Sequence, residues 1–356
     1  MNSINASSSC PIHFNSKAYQ ALNEYISENK PSEIVIITDE NTEKYCLPYF
    51  LNELVLPQDP IFISFEAGEQ YKTLATCIKL FNQLSDNKID KKSLILNLGG
   101  GVVTDLGGFV ASVFKRGLPY INIPTTILAM VDASVGGKTG VDFNGLKNQI
   151  GLVNNGQQVV IDVNFLKTLP KEQLISGYAE MLKHGLIHSE LYWNDILLMN
   201  LDNLEELHIR IWESVVIKND VVTKDPYENN LRKILNYGHT LGHAIESYCM
   251  KSESKKSLLH GEAIAIGLIL ETYISTQIYS FPESKLNELV ACVHANFMKV
   301  DFSFDDIEAI IDLLIYDKKN VGGKINFVLL KDIGQYELDC QVSNELIYKA
   351  FEFYKL

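Results

Sequence analysis

No two of the six cysteines (Cys10, Cys46, Cys77, Cys249, Cys292, Cys340) stand at a CxxC spacing. That excludes a cysteine-built zinc module or dithiol redox motif and leaves reduced thiols of a cytoplasmic chain. Long hydrophobic runs are missing too. The apolar stretch 263–270 is too short to span a bilayer, and residues 1–14 are polar, without the apolar core of a signal peptide. Nor is there an excess of positive charge. A formal net charge of −13 argues against nucleic acid or an anionic membrane surface as the main partner, while a small anion stays compatible wherever basic residues gather. No repeat or low-complexity segment is found; 251–257 (KSESKKS) reads as a polar loop.

What is there is an α/β chain. Its 356 residues, 46% hydrophobic, suffice for two domains with sizeable cores. Over the first 170 residues, apolar β-rich runs at 34–38, 61–65, 93–98, 120–123 and 159–161 alternate with helix-like stretches such as 17–28, 74–84 and 105–113. Such alternation predicts a parallel sheet covered on both faces, a Rossmann-like domain over 1–170, with ligands at the carboxyl ends of strands. From 171 onward amphipathic stretches dominate (171–187, 204–222, 233–248, 261–278, 305–315), with a short strand pair at 325–330 and 336–338 around Gly334. A mostly α-helical domain over 171–356 is expected, beginning at LPKEQL, where Pro170 suits a first helical turn.

The densest signal lies between Gly99 and Asn148: GGGVVTDLGGFVAS, FKRG, then IPTTILAMVDASVGGKTGVDFNGLKN. Glycine is used densely where backbone must approach something closely, here the pyrophosphate of a dinucleotide. The spacing is not GxGxxG, so the reading is of a Rossmann-like relative. Asp39, just beyond the first strand, can accept from a ribose diol or cap the helix that follows. In the second half, candidate ligands fall in three segments: Glu180, Lys183 and His184 in YAEMLKHG; His239 and His243 in NYGHTLGHAIE; and His260 in LLHGEA. Histidines four apart share a helix face and can present two imidazoles to one zinc ion. Spacing permits either a set using both members of HxxxH, or Glu180, His239 and His260 with His243 left for chemistry. His13, His208 and His294 read as structural or exposed. Arg116, Lys138, Lys147, Lys183, Lys218, Arg232 and Lys318 or Lys319 sit in or beside these motifs and suggest a substrate with more than one negative group.

Together GGGVVTDLGGFVAS, FKRG, IPTT, VDASVGGKTGVD, KNQIG, SGYAEMLKHGLI, KNDVVTKD, RKILNYGHTLGHAIE, HGEAIAIG and DKK, in that order, resemble the 3-dehydroquinate synthase family from about residue 34 to 334. The resemblance implies NAD and a divalent metal, zinc or cobalt among the choices, in a cleft between the two domains. The implied metal ligands are Glu180, His239 and His260, with His243 near the phosphate and moving protons. Asp39, Glu69, Lys72, Gly100, Gly101, Asp105, Thr125, Thr126, Lys138, Lys147 and Thr168 fill NAD positions. Asp132, Lys138, Asn148, Lys183, Lys218, Arg232 and Asn236 fill substrate positions, and Arg116 matches an arginine that reaches the neighbouring site of a homodimer. One local departure is a long loop at 252–259. The implied activity belongs to the shikimate pathway of aromatic amino acid biosynthesis: 3-deoxy-D-arabino-heptulosonate 7-phosphate to 3-dehydroquinate and phosphate, by transient oxidation, elimination, re-reduction and aldol closure. A metal- and NAD-dependent polyol dehydrogenase would need no clamp of the Arg232, Lys138, Arg116 kind. A sister sugar-phosphate cyclase acting on an aminated precursor keeps the carboxylate, so these residues do not separate it.

Overall fold

The computed structural model describes residues 3–4, 10–314 and 325–356. The chain gathers into two compact units, Met1–Leu174 with Asp202–Asn219, and Ile175–Leu201 with Asp220–Leu356.

The first unit is built on β1 (Ser3–Ile4), β2 (Ile12–Phe14), β3 (Ile34–Asp39), β4 (Ile61–Phe65), β5 (Leu94–Gly99), β6 (Tyr120–Pro124) and β9 (Gln158–Ile161), with β7 (Lys138–Phe143) and β8 (Leu146–Val153) between the last two. The main sheet runs β1-β2-β9-β6-β5-β3-β4 among the described residues. All its pairings are parallel except β1 with β2. Both faces are covered, which is why the strands read as unbroken apolar runs and not as alternation. Ile34, Ile36, Leu94 and Leu96 pack with the Asn15–Asn29 and Leu47–Glu53 helices, whereas Val35, Ile37 and Ile95 pack with the Leu74–Asp86 and Gly101–Val113 helices.

Helix packing accounts for part of the glycine run. A Cβ on Gly107 would stand 2.2 Å from Asn97 Oδ1, and one on Gly108 would stand 2.6 Å from Thr139 Cγ2. Gly107 lets the helix lie against β5 of the sheet and Gly108 lets it lie against β7, a use of glycine distinct from ligand approach. The stretch GGKTGVDFNGLKN, read from sequence as part of the glycine-dense run that approaches a dinucleotide, lies in the antiparallel hairpin β7–β8.

The second unit is mostly helical: the helix ending at His188, then Glu190–Leu197, His239–Lys251, His260–Tyr279, Glu283–Asn296, Phe304–Leu313 and Asn344–Lys355. Its hairpin of β10 (Phe327–Asp332) and β11 (Gln335–Cys340) turns at Gly334, whose φ of 74° suits glycine. The helix expected from residue 233 begins at His239, because 231–236 is a 3₁₀ turn and Gly238 (φ 76°) sets a new direction. The apolar run 263–270 lies in a helix buried nearly all round. Among the described residues no helix is long and apolar enough to cross a membrane.

Candidate functional site

The carboxyl ends of β3, β5 and β6 collect the candidates of the first unit. β4 follows β3 in sequence, yet β5 pairs on the other side of β3, so strand order reverses between β3 and β5. Open α/β sheets leave a crevice at such a reversal. Asp39 ends β3, and its Oδ1 accepts the Thr42 amide at 2.7 Å in a capping box, so the capping role weighed from sequence is present. Gly100 is the N-cap of the Gly101–Val113 helix and carries no capping side chain; helix amides left unserved this way favour an anion. A Cβ on Gly100 would come 3.1 Å from Thr126 Cγ2. Burial, with the Asp39 charge adding, pushes the Cys46 thiol up to about 11, against a lowering pull from Thr168 and Thr125.

A second group lies between β7–β8 and the Gly101–Val113 helix. Lys72 reaches Asp105 Oδ2 at 2.6 Å and donates to Asn148 Oδ1 at 2.7 Å, while Lys147 pairs with Glu69 at 2.6 Å. Burial alone would lower the Lys72 ammonium, but Asp105 and Glu69 outweigh it and raise it. Asp142 was not singled out from sequence; its Oδ1 accepts the Asn148 amide at 2.7 Å, and it closes the TGVD motif. Asp132 stands in a single π-helical turn, Ala129–Ala133, and pairs with Lys218; such turns recur at functional sites. Lys138 opens β7 and is exposed. Arg116 is exposed at φ 67°. Lys318 and Lys319 lie outside the described residues.

The second unit holds the histidine and carboxylate cluster. Glu180 is wholly buried, with Oε1 3.2 Å from His239 Nε2 and 3.4 Å from His260 Nε2. Lys183, one turn along the same helix, is its charge partner. Neither Glu180 oxygen takes a well-directed hydrogen bond from the described residues. One carboxylate oxygen and the Nε2 atoms of two imidazoles thus converge, which is the donor set of a divalent cation site. The remaining ring nitrogens are tied down: His239 Nδ1 lies 2.9 Å from Tyr237 O, and His260 Nδ1 lies 3.1 Å from Glu246 Oε2. Partners of this kind aim the other nitrogen at a metal. Donor atoms of His239, His243 and His260 also lie within 4.8 Å of one another, so geometry keeps His243 beside the set.

Charge in this cluster is strongly coupled. Burial would raise the Glu180 carboxyl, but Lys183 and His239 hold it well below the usual range. Burial lowers His239. Burial opposes charge on His260 too, yet Glu246 and Glu180 raise it to about 10. The long loop at 252–259 does not displace His260 from Glu180. Glu246 was missed in the sequence reading; its signal was an acid three residues after His243 on the same helix.

Arg232 is buried, donating from Nη1 to Pro226 O at 2.7 Å, and its amide donates to Asp225 Oδ2 at 3.0 Å. Asp225 also accepts the amides of Asn229 and Asn230, so it shapes the loop before Arg232. Asn236 donates to Glu228 at 2.7 Å. His13, His208 and His294 make ordinary contacts with Ser3, Asn15 and Tyr354.

Comparison with known proteins follows the same lines. Residues 62–176 match the family model described as 3-dehydroquinate synthase N-terminal, and residues 177–320 match 3-dehydroquinate synthase C-terminal. A 3-dehydroquinate synthase of Parabacteroides distasonis is 40% identical over 336 residues, 94% of either chain. One of Ruminiclostridium cellulolyticum is 37% identical over 334 residues, 91% of this chain and 90% of that one. Among solved structures, 2-deoxy-scyllo-inosose synthase complexed with carbaglucose-6-phosphate, NAD+ and Co2+ aligns with a TM-score of 0.81 at 25% identity, covering 99% of each chain. The 2-epi-5-epi-valiolone synthase of Streptomyces hygroscopicus, with NAD+ and Zn2+ bound, shares the fold at a TM-score of 0.85 and 23% identity, covering 100% of this chain and 99% of that one.

Proposed function

This chain belongs to the 3-dehydroquinate synthase family of lyases, and from that premise we propose that it converts 3-deoxy-D-arabino-heptulosonate 7-phosphate into 3-dehydroquinate and phosphate, a step of the shikimate pathway, using NAD and a divalent metal. The observation that carries the reading is the buried Glu180 carboxylate facing the Nε2 atoms of His239 and His260. When bound, NAD supplies a hydride acceptor that is restored within the cycle, and the metal supplies Lewis-acid polarisation of substrate hydroxyls.

Glu180, His239 and His260 hold the metal, with Tyr237 O and Glu246 fixing the two rings. NAD rests on the first unit: Asp39 at the ribose; Gly100, Gly101, Thr125 and Thr126 at the strand ends; Glu69, Lys72, Asp105, Lys147 and Thr168 around them; and Lys138 nearby. Arg232, a planar fork, pairs with the substrate carboxylate. Lys183, Asp132 and Asn148 hold hydroxyls, and Lys218 orients Asp132. Lys138, Asn236, His243 and the partner subunit's Arg116 surround the phosphate, with His243 moving a proton as it leaves. This last assignment requires a homodimer.

The test follows phosphate release from that substrate with NAD+ and Zn2+ while recording the NADH absorbance band. Release that needs NAD+, stops with chelator and leaves no net NADH is expected. Steady NADH accumulation would point to a polyol dehydrogenase instead. Turnover only of an aminated substrate would point to a sister cyclase.

A further inference from the structure

Glu271 is a fully buried acid that none of the roles above uses. It sits on the helix His260–Tyr279, whose first residue is a candidate metal ligand, and its carboxylate reaches the start of the other ligand-bearing helix, His239–Lys251. Oε2 accepts the Gly238 amide at 2.8 Å and Oε1 accepts the Leu241 amide at 3.0 Å. Leu241 is the third residue of that helix, the donor an N-cap side chain ordinarily serves. Gly238 stands at the N-cap with φ 76° and has no side chain to offer. Glu271 therefore supplies from a neighbouring helix the cap that the His239 helix lacks, at the end where the helix dipole favours an anion.

Three further contacts pull the same two segments together. Thr272 Oγ1 meets Tyr237 OH at 2.5 Å, and the Tyr237 carbonyl is the partner of His239 Nδ1. A Cβ on Gly267 would stand 2.0 Å from Gly238 O and 2.8 Å from Gly242 N, and one on Gly242 would stand 3.2 Å from Ile264 Cα, so the helices touch backbone to backbone. The carboxylate offers a separate oxygen to each of the two amides. A carboxylate is expensive to bury, and here its two oxygens tie the turn beginning with His239 to the helix beginning with His260.

We infer that Glu271 is a positioning residue: it fixes the height and rotation of His239 against His260, and so sets the metal-binding geometry without touching the metal. The inference rests on the metal-site reading above. Apo protein is titrated with Co2+ alone, following the visible d–d bands. Wild type should bind; E271Q, which keeps one acceptor and loses the other, should raise the Kd about 10- to 100-fold and shift the bands. T272V, nearly isosteric, should move both in the same direction by a smaller factor, and decides the matter if E271Q does not fold. S303A, which removes an unrelated helix cap in the same unit, should lower thermal stability and leave Co2+ affinity unchanged. Folded E271Q or T272V that binds Co2+ with wild-type Kd and spectrum would overturn the inference alone. A wild type that binds no Co2+ would overturn the metal reading, and the inference with it.

Discussion

At the scale of single residues, several charges of the proposed site are buried, among them Glu180, Lys183 and Arg232. Arg232 is enclosed, its fork is braced by Pro226 O, and its loop is wound on Asp225. R232K keeps the charge and loses the fork, so KM for the sugar acid phosphate should rise about 100-fold, near 2.8 kcal/mol. The Kd for NAD+, measured by fluorescence titration, should stay unchanged; equal KM would remove the carboxylate assignment. Asp306 offers a pH test away from the site. Burial alone would raise its carboxyl, but Lys255 at 2.8 Å, Tyr248 and Ser303 hold it well below the usual range. A depressed folded value gives stability that is complete above the unfolded value, near 4, and lost as pH falls through the folded one. D306N should therefore be about 2 kcal/mol less stable than wild type at pH 7, with the gap closing progressively as pH falls below about 4 in thermal melts.

At the scale of elements, glycine sets the distances. A Cβ on Gly261 would stand 1.8 Å from Ser176 O, on the helix that carries Glu180. Gly261 is what lets the His260 turn press against the Glu180 helix. G261A should lose about 3 kcal/mol or more of stability and most of its Co2+ affinity; a folded variant with wild-type affinity would refute that role. Such contacts mark the boundary of what was legible in sequence. The strands from β3 to β6 fall within a residue or so of the apolar runs, because a parallel sheet covered on both faces writes its burial directly into the chain. The β7–β8 hairpin was hidden, since its glycines serve backbone crossing at Gly140 and Gly151 and mimic a ligand loop. The helix start at His239 was hidden as well, because its cap is Glu271, thirty residues beyond the Leu241 amide it accepts.

At the scale of the whole chain, the acidic composition argued against nucleic acid or an anionic membrane as the main partner; the ordered motifs implied a family, and the family models covering 62–320 bear out the family. Spacing alone left two ligand sets open, and the fold brings all four candidates together without choosing between them. Thermal stability can choose. A ligand that binds only the folded state at a hundred times its Kd adds about 2.7 kcal/mol, a shift of roughly 5–11 °C for a domain of 150–250 residues. Wild type should show that rise with Zn2+ and lose it with chelator. If Glu180, His239 and His260 are the ligands, E180Q and H239A abolish the rise, whereas H243A keeps it and loses phosphate release. If the HxxxH pair binds instead, H243A abolishes the rise and E180Q retains most of it. The second pattern would move proton transfer at the phosphate away from His243 and require another group to perform it.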